Sequence, residues 1–574
     1  MAVFDPTHEQ LNVIKSETSA FISACPGAGK TRCIMERARA LFADKANPKA
    51  LAFLSFTHAA VDEFETRLSR ERFLPHPLFP HFIGTFDSFI WHFLVAPFGQ
   101  DGVKAPLRLI ADKNDLIVKP YEKAQPLPLS CFHSETCKII KQRVAKYKFS
   151  QKPKPHETAA ARLRLSLLKN GQVDFEDVRA IARENLSDKA FSDRLAAVLS
   201  ARFGEIIVDE AQDCNPEDLE IIDWLRNVAK VSTKVVCDPH QSIYGFRGGV
   251  SDDLFEYEKK FPEKEKLALT GNFRSTAHIC EATHLLRAPK HRGPKDAALG
   301  ENKDIDIKVH ILGYKGAVCE DIGKAFAALA VKHSIELADC RVAAKTRATG
   351  KRTVGVIAQD VGNALGSRLA VAAQSFQYAA TPKEKRDALT EVHKVVLSLS
   401  GKLDNRTYHQ TLADEEIMDL NWRGEMVNVL RALEFDPSKG HTREEWVGRA
   451  HACMTPYLDK ASGTIGRKIP NTKKLDDFLC GQPVQGLSPR TIHEVKGKEY
   501  PAMCVVITST TAKGILDHLE GKDDKMAEEA REIYVAASRA EKLLVIACLK
   551  SQVERLKKHL ESNGAKVDFT QLWK

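Results

Sequence analysis

A stretch of small residues near the amino terminus has the composition of a phosphate-binding loop. It reads SACPGAGKT over residues 23–31, follows the short apolar run 20–22 and precedes a helical pattern over 32–42. An apolar strand, a small-residue turn ending in Gly-Lys-Thr and a helix form the context that such a loop requires. The loop residues expected to surround a polyphosphate are Ala24, Pro26, Gly27, Ala28, Gly29, Lys30 and Thr31.

Each part of this loop has a chemical purpose. Its glycines let backbone N–H groups curve around a triphosphate, and the positive end of the following helix faces the negative charge. The ammonium group of Lys30 reaches the β- and γ-phosphates, and the Thr31 hydroxyl binds Mg²⁺. The general pattern begins with Gly where this chain has Ala24, so a chance turn of small residues is the alternative.

Two adjacent carboxylates form a second chemical signal. Asp209 and Glu210 directly follow the strand-like segment 205–208, which ends in three apolar residues. In a nucleotide site, Asp209 would hold Mg²⁺ through its water shell, and Glu210 would orient and deprotonate an attacking water. An acidic strand end can also be a helix N-cap, but here the pair occurs in a chain that also carries Gly-Lys-Thr.

The elements that must position these groups alternate along the chain. Further segments with a strand-like pattern occur at 50–56, 234–237, 306–312, 340–344, 503–507 and 543–547. Helical patterns lie between many of them, which predicts parallel sheets whose strand carboxyl ends gather the functional loops. Residues 92–195 interrupt this pattern, and residues 353–484 look mainly helical without recognisable chemistry.

Two segments have the composition of nucleic-acid contacts. The first, 138–154, carries seven Lys and Arg residues with Tyr147 and Phe149 interleaved, and is either a solvated helical face or a phosphate-contacting surface. The second follows the run 234–237 and contains Gln241, Tyr244 and Phe246. Amide, aromatic and basic groups in one loop suit a device that touches both a phosphate and stacked bases.

Composition limits the class of protein. The 574 residues predict about three or four domains, and the net charge of +9 permits a polyanionic partner without requiring one. The start of the chain lacks the pattern of a signal peptide and no apolar run is long enough to span a bilayer, which predicts a soluble cytoplasmic protein. The thirteen cysteines indicate reduced core residues, and Cys131 and Cys137 lack the usual zinc spacing.

Taken in order, the motifs of this chain resemble those of the UvrD/Rep-like superfamily 1 DNA helicases. The matching blocks are Gln10, 24–31, 56–60, 84–88, 209–213, 241–248, 272–275, 491–499 and 534–540. Alanine is common at the first loop position in that family, which removes the objection to Ala24. The resemblance implies an α/β fold with two RecA-like (P-loop NTPase) motor domains with parallel sheets, each carrying a mainly helical insertion. The expected ranges are 1–91 and 196–276 for the first motor domain, 92–195 for its insertion, 277–352 and 485–574 for the second, and 353–484 for its insertion.

The resemblance also implies a role for individual residues. Lys30, Thr31, Asp209 and Glu210 keep the roles given above, and Gln241 would sense the γ-phosphate. Arg274 and Arg539 would close on that phosphate, Gln10 and Phe273 would contact adenine, and Glu499 would meet the ribose. The residues implied to contact single strands are Phe56, Thr57, Thr85, Tyr244, Phe246 and His493. Ser538 replaces a common Thr and Lys498 a common Leu, and neither change removes a catalytic group.

The function implied is ATP-driven, Mg²⁺-dependent 3′→5′ movement on single-stranded DNA with unwinding of tailed duplexes, at the nucleoid. The alternatives are a translocase that does not unwind, a motor subunit that needs a nuclease, repair or defence partner, and an ATP-independent clamp. RNA in place of DNA is a further alternative, because no residue here reads a 2′-hydroxyl. The biological pathway and the oligomeric state stay open.

Overall fold

The computed structural model describes residues 4–573, with gaps. The residues left out are 45–47, 101–102, 104, 111, 135, 146, 148, 244–250, 356–363, 380–381, 404–407, 409–410, 413–414, 416, 418, 437–438, 460, 462, 480–485 and 563. Two six-stranded sheets dominate the described part, and every pair of neighbouring strands within them is parallel. The predicted α/β class with parallel sheets is therefore confirmed.

The first sheet has the strand order β6-β1-β5-β4-β2-β3. Its strands are β1 (Ala20–Ala24), β2 (Ala50–Ser55), β3 (Phe82–Thr85), β4 (Phe203–Val208), β5 (Ser232–Cys237) and β6 (Lys266–Leu269). Successive side chains of β2 enter different apolar clusters: Ala52 and Leu54 pack on one face, and Leu51 and Phe53 on the other. Burial on both faces explains why β2 is almost continuously apolar in sequence.

Helices cover both faces of this sheet. Before residue 92 they are α1 (His8–Lys15), α2 (Lys30–Ala43), α3 (His58–Arg70) and the short α4 (Phe86–Phe89). After residue 203 they are α9 (Pro216–Asn227) and α10 (Ser251–Glu258), and the helices between these two groups are described below.

Helix α2 is held to the sheet by a buried ion pair. The Arg37 guanidinium donates to both carboxylate oxygens of Glu205 on β4, at 2.8 Å and 2.6 Å, and Lys234 Nζ lies 3.6 Å from the same carboxylate.

The second sheet has the strand order β9-β8-β10-β11-β7-β12. Its strands are β7 (Val309–Tyr314), β8 (Cys340–Ala344), β9 (Ser488–Thr491), β10 (Tyr500–Val506), β11 (Ala540–Leu549) and β12 (Val567–Gln571). The accompanying helices are α11 (Ala277–Leu285), α12 (Glu320–Lys332), α13 (Arg347–Thr353), α20 (Ile492–Val495), α21 (Ala512–Leu519), α22 (Ala527–Ala537) and α23 (Val553–Glu561). Strand β7 begins at Val309, three residues after the predicted start at Asp306. The exposed Asp306 carboxylate instead pairs with His278, at 2.7 Å.

The two segments outside the sheets have small cores of their own. Residues 92–195 contain α5 (Lys141–Ala145), α6 (Pro153–Lys169), α7 (Phe175–Ser187), the first half of α8 (Lys189–Arg202) and four two-residue strands, Arg108–Leu109, Ile117–Val118, Leu127–Pro128 and Gln172–Val173. Tyr147 and Phe149 of the basic span pack against its apolar cluster. These two rings therefore contribute to the core of the segment, and their packed faces are not available to stack on bases.

The segment between β8 and β9 is built from helices around the buried Trp446. They are α14 (Leu365–Gln377), α15 (Pro382–Leu399), α16 (Asp419–Ala432), α17 (Arg443–Met454), α18 (Ile465–Lys468) and α19 (Asp476–Leu479). None of the helices in the described ranges is long and apolar enough to cross a bilayer. The division into two motor domains and two insertions stays a prediction.

The Arg37–Glu205 pair leads to a prediction about stability. Glu205→Ala leaves Arg37 and Lys234 buried without their carboxylate, and we expect it to lower the free energy of unfolding by about 3 kcal/mol. Denaturant unfolding followed by circular dichroism measures the change. Glu263→Ala is the matched control, because Glu263 is 88% exposed in its pair with Lys266, and its change should stay below about 1 kcal/mol. Equal changes in the two variants would contradict the prediction.

Candidate functional site

The small-residue loop joins β1 to α2 and packs closely against the segment 272–274. Gly27 and Gly29 have φ of +70° and +75°, in the left-handed region that favours glycine. A Cβ built on Gly27 would lie 2.7 Å from Arg274 Cβ, and the Gly27 carbonyl accepts a hydrogen bond of 2.9 Å from the Phe273 amide. Helix α2 begins at Lys30, so its first-turn N–H groups and positive dipole end face this loop, as an anion site requires.

Gln10 lies directly against the loop. Its side chain is 3% exposed, Oε1 accepts from the Thr7 amide at 3.0 Å, and Nε2 donates to the Ala28 carbonyl at 3.1 Å. The first contact belongs to the capping box of α1. The structure thus places Gln10 against the loop with both ends of its amide bonded to backbone, and its predicted contact with adenine stays a prediction.

Asp209 and Glu210 lie at the carboxyl end of β4, facing Lys30. Burial and the neighbouring Glu210 raise the pKa of Asp209 to about 7, although Lys30 opposes them. Burial also disfavours ionisation of Glu210, but Lys30 and Lys496 outweigh it and hold its pKa below the ordinary value. Burial works against the charge of Lys30, yet Glu210, Asp238 and Asp209 together raise its pKa. This arrangement favours an ionised base beside a protonated lysine.

The Asp209 carboxylate has the character of a cation ligand. Its Oδ1 is buried and has no hydrogen-bond partner among the residues that the structure describes. Within the same residues, no group of three or more His, Cys, Asp and Glu side chains is arranged to hold a metal. Mg²⁺ commonly takes only one or two protein oxygens and completes its shell with water and substrate phosphates. Asp209 and the Thr31 hydroxyl at the start of α2 fit that requirement.

A hydrogen-bonded chain crosses from the first sheet to the second. Gln241, just after β5, donates from Nε2 to Asp238 Oδ2 at 2.7 Å. Its Oε1 accepts from Arg539 Nη2 at 2.5 Å, and Arg539 directly precedes β11 of the second sheet. Burial and the nearby Arg274 lower the pKa of Arg539 to about 10, while Glu210 opposes them. Arg539 is therefore a buried cation placed between the carboxylates and the second sheet.

Arg274 lies in the connection between the two sheets. Its Nη1 donates to the Ser538 carbonyl at 2.9 Å, and its Nη2 donates to the Glu499 carboxylate. Glu499 is 53% exposed and Phe273 is 38% exposed, so both are accessible beside the loop. The structure thus brings together the loop, Arg274, Arg539 and Glu499, and their roles stay a prediction.

Two further contacts join the halves of the molecule. Lys496, after α20, donates to both carboxylate oxygens of Asp213, at 2.7 Å and 2.8 Å. Ser275 Oγ donates to the Ala540 carbonyl at 2.7 Å. Both bonds bridge segments more than 260 residues apart in sequence and are largely shielded from solvent.

The candidate nucleic-acid residues follow strand carboxyl ends in both sheets. Phe56 follows β2, is partly buried and stacks on Phe86 with ring centroids 5.4 Å apart. Thr57 and Thr85 cap α3 and α4 through their hydroxyls. His493 lies in α20 after β9 with its side chain 40% exposed. Tyr244 and Phe246 lie outside the described residues.

Three buried residues of this region have no role that the sequence predicts: Asp238, Tyr534 and Arg287. Tyr534 donates from its hydroxyl to Asp238 Oδ2 at 3.1 Å, and Arg287 Nε donates to the same hydroxyl at 3.4 Å. Asp238 directly follows an apolar strand, as Asp209 does, and that signal could have identified it. Arg287 carries no comparable signal, because Tyr534, through which it reaches this region, is 247 residues away in sequence.

Two protein families match the sequence over the segments that build this site. The UvrD/REP helicase N-terminal domain matches residues 6–262, and the UvrD-like helicase C-terminal domain matches residues 488–551. The first match contains the loop, the carboxylates and Gln241. The second contains Glu499 and Arg539.

Several curated proteins are similar to this chain. The ATP-dependent DNA helicase PcrA of Bacillus subtilis is 22% identical to this chain over an alignment 619 positions long. The alignment covers 94% of this chain and 82% of that protein. PcrA of Staphylococcus epidermidis is 26% identical over 302 residues, 50% of this chain and 40% of its own length. The Gabija protein GajB of Bacillus cereus is 24% identical over 275 residues, 48% of this chain and 47% of its own length. The chain thus spans less than half the length of two of these relatives.

The two family matches, the likeness to PcrA over nearly the whole chain and the site between two parallel sheets agree with one another: this chain belongs to the UvrD/Rep helicase family.

Proposed function

We propose that this protein is an ATP-dependent DNA motor that moves 3′→5′ along single strands and unwinds tailed duplexes. The observation that carries the proposal is the bond between Gln241 and Arg539, which joins the two sheets beside Lys30 and Glu210. A nucleotide site completed by groups from both sheets makes hydrolysis depend on their relative position. That dependence is what a motor needs to convert hydrolysis into movement.

The site residues support a division of labour on ATP. The loop N–H groups and Lys30 would hold the phosphates, and Gln10, Phe273 and Glu499 would hold the adenosine. Thr31 and Asp209 would bind Mg²⁺, which when bound neutralises charge on the phosphates.

The remaining groups would act on the reacting phosphate. Glu210, whose lowered pKa keeps it ionised, would orient and deprotonate the attacking water. Arg274 and Arg539 would stabilise charge that develops on the γ-phosphate. Gln241 would report the state of that phosphate to the segment that follows it.

Single-stranded DNA would cross the carboxyl ends of the strands in both sheets. Phe56 offers an aromatic face for stacking, and Thr57, Thr85 and His493 offer polar groups near the backbone path. Stacking on aromatic side chains tolerates every base. A sequence-independent motor needs that tolerance.

A second candidate is a motor subunit that works only with a partner protein. The likeness to the Gabija protein GajB over about half of each chain favours this alternative. Such a subunit would hydrolyse ATP on single strands without separating duplexes by itself. The first experiment below distinguishes the two.

We expect strand displacement from a duplex with a 3′ tail, and none from a 5′-tailed or blunt duplex. Lys30→Ala should reduce both displacement and ATP hydrolysis by about a hundredfold or more, because it removes the cation that holds the transferring phosphate. A fluorescent displacement assay and a coupled ATPase assay measure the two activities. Hydrolysis without displacement would support the partner-dependent subunit, and displacement only from a 5′ tail would contradict the proposed direction.

We expect Arg539→Ala to reduce DNA-stimulated kcat by roughly a thousandfold, since it removes a cation that stabilises transition-state charge. Arg539→Lys should recover only part of this loss, because an ammonium lacks the planar fork. Steady-state ATPase measurements with saturating single-stranded DNA provide the test. Arg555→Ala is the control, because Arg555 pairs with Asp517 and Glu520 on the surface of the same half. Full activity in Arg539→Ala would exclude a site shared by the two sheets.

We expect Phe56→Ala to raise the Kd for single-stranded DNA by about tenfold, corresponding to the loss of one base stack. Fluorescence anisotropy with a labelled oligonucleotide measures it. Phe79→Ala is the matched control, since Phe79 is 72% exposed but precedes the amino-terminal end of β3, opposite the proposed DNA path. The same loss in both variants would argue against a DNA path over the strand carboxyl ends.

A further inference from the structure

One buried arginine outside the recognised motifs reaches the catalytic groups through a short chain of hydrogen bonds. Arg287 follows α11 with its guanidinium enclosed. Its Nη2 donates to the buried Asp296 carboxylate, and its Nη1 donates to the carbonyls of Arg292 and Pro294 at 3.4 Å and 3.3 Å. These contacts leave Nε to donate to the Tyr534 hydroxyl, at 3.4 Å.

Tyr534 passes this contact to the nucleotide site. Its hydroxyl donates to Asp238 Oδ2 at 3.1 Å, and that oxygen also accepts from Gln241 Nε2 at 2.7 Å. Burial raises the pKa of the Tyr534 phenol well above its ordinary value, so the hydroxyl keeps the proton it donates. Gln241 in turn accepts from Arg539. The chain therefore has an arginine donor at each end and the Asp238 carboxylate as the shared acceptor.

The direction of every donor in this chain is determined. An arginine can only donate and an ionised carboxylate can only accept. The Gln241 amide donates its N–H to Asp238, and its carbonyl oxygen accepts from Arg539. Only one orientation of the Gln241 amide makes both bonds. That orientation presents Arg539 to the site. The Asp238 carboxylate also accepts from the His240 amide, at 3.1 Å to Oδ1. Moving Tyr534 would release one of the two hydrogen bonds that locate Asp238 Oδ2, the oxygen that binds Gln241.

The negative charge around Asp238 explains why the hydrogen-bonded chain ends in the Arg287 guanidinium. Asp238 is 1% exposed and lies among Asp209 and Glu210, so three carboxylates surround Lys30. Burial works against the charge of Arg287, but Tyr534, Asp296 and Asp238 outweigh it and raise its pKa. Arg287 thus places a positive charge behind Tyr534, on the side of Asp238 away from Lys30, where it offsets part of the negative charge of this region.

We propose that Arg287 is a positioning residue for ATP hydrolysis, holding Tyr534 and Asp238 so that Gln241 and Arg539 are aligned with the γ-phosphate. The inference rests on the proposed function. It predicts that loss of the guanidinium lowers kcat and leaves ATP binding nearly unchanged, because the aligned groups act on the transition state.

The test uses paired substitutions, because Arg287→Met alone would leave Asp296 buried without a cation. In Arg287→Met/Asp296→Leu both charges are removed together. We expect DNA-stimulated kcat to fall about tenfold while the KM for ATP changes less than about twofold. Tyr534→Phe, which keeps the ring and removes only the bridging hydroxyl, should give a similar loss. Combining all three substitutions should give no further loss, because residues acting as one unit are not additive.

Two controls separate positioning from general stability. Arg287→Lys retains a cation and a donor, and should recover most of the activity. Arg292→Met changes a neighbouring arginine that donates to the Arg287 and Leu519 carbonyls and should leave kcat unchanged. Melting temperatures are measured for every variant.

The outcomes distinguish the two proposals. A lowered melting temperature with unchanged kcat in the Arg287→Met/Asp296→Leu variant would overturn the positioning role and leave the proposed function intact. Losses that multiply when Tyr534→Phe is added would also overturn it, since the two residues would then act separately. Absence of DNA-stimulated hydrolysis in the unsubstituted protein would overturn the proposed function, and this inference with it.

Discussion

The architecture of this protein depends on balancing three neighbouring carboxylates, of which Asp209 and Asp238 are buried and Glu210 is half-buried. Asp209, Glu210 and Asp238 all follow carboxyl ends of strands in the first sheet, and Lys30 is the cation that the same sheet places among them. Buried charges are tolerated only when they are paired and hydrogen-bonded. Arg539 comes from the second half of the chain, so the charge balance of the site requires the two halves to meet.

The contacts between the halves follow from this requirement. Lys496 binds Asp213, Arg274 reaches Glu499 and the Ser538 carbonyl, and Tyr534 binds Asp238. Each of them places a donor of one half on an acceptor of the other. Because such bonds are directional, they determine relative orientation as well as proximity. A ligand bound at the centre of this network would therefore contact groups that are held by both sheets.

The sequence predicts the fold class, and it singles out several residues that the structure brings close together, for physical reasons. Strands buried on both faces are continuously apolar, and residues directly after them must gather at one edge. Lys30, Asp209 and Gln241 are visible in this way. Several boundaries moved by a few residues, as at β7, because the ends of strands are decided by contacts such as Asp306 with His278. Arg287 could not be identified from the sequence, because only the folded structure shows that its guanidinium is buried and bonded to Asp296 and Tyr534.

The tight packing of Gly27 on the segment 272–274 has a mechanical consequence. The Gly27 carbonyl accepts the Phe273 amide, and the Asn272 side chain accepts the amides of Arg274 and Ser275. These bonds hold the backbone of Arg274 against the small-residue loop. The Arg274 guanidinium reaches the other half of the molecule, where it donates to the Ser538 carbonyl and to the Glu499 carboxylate. A displacement of the loop would therefore be transmitted to the second sheet through Arg274.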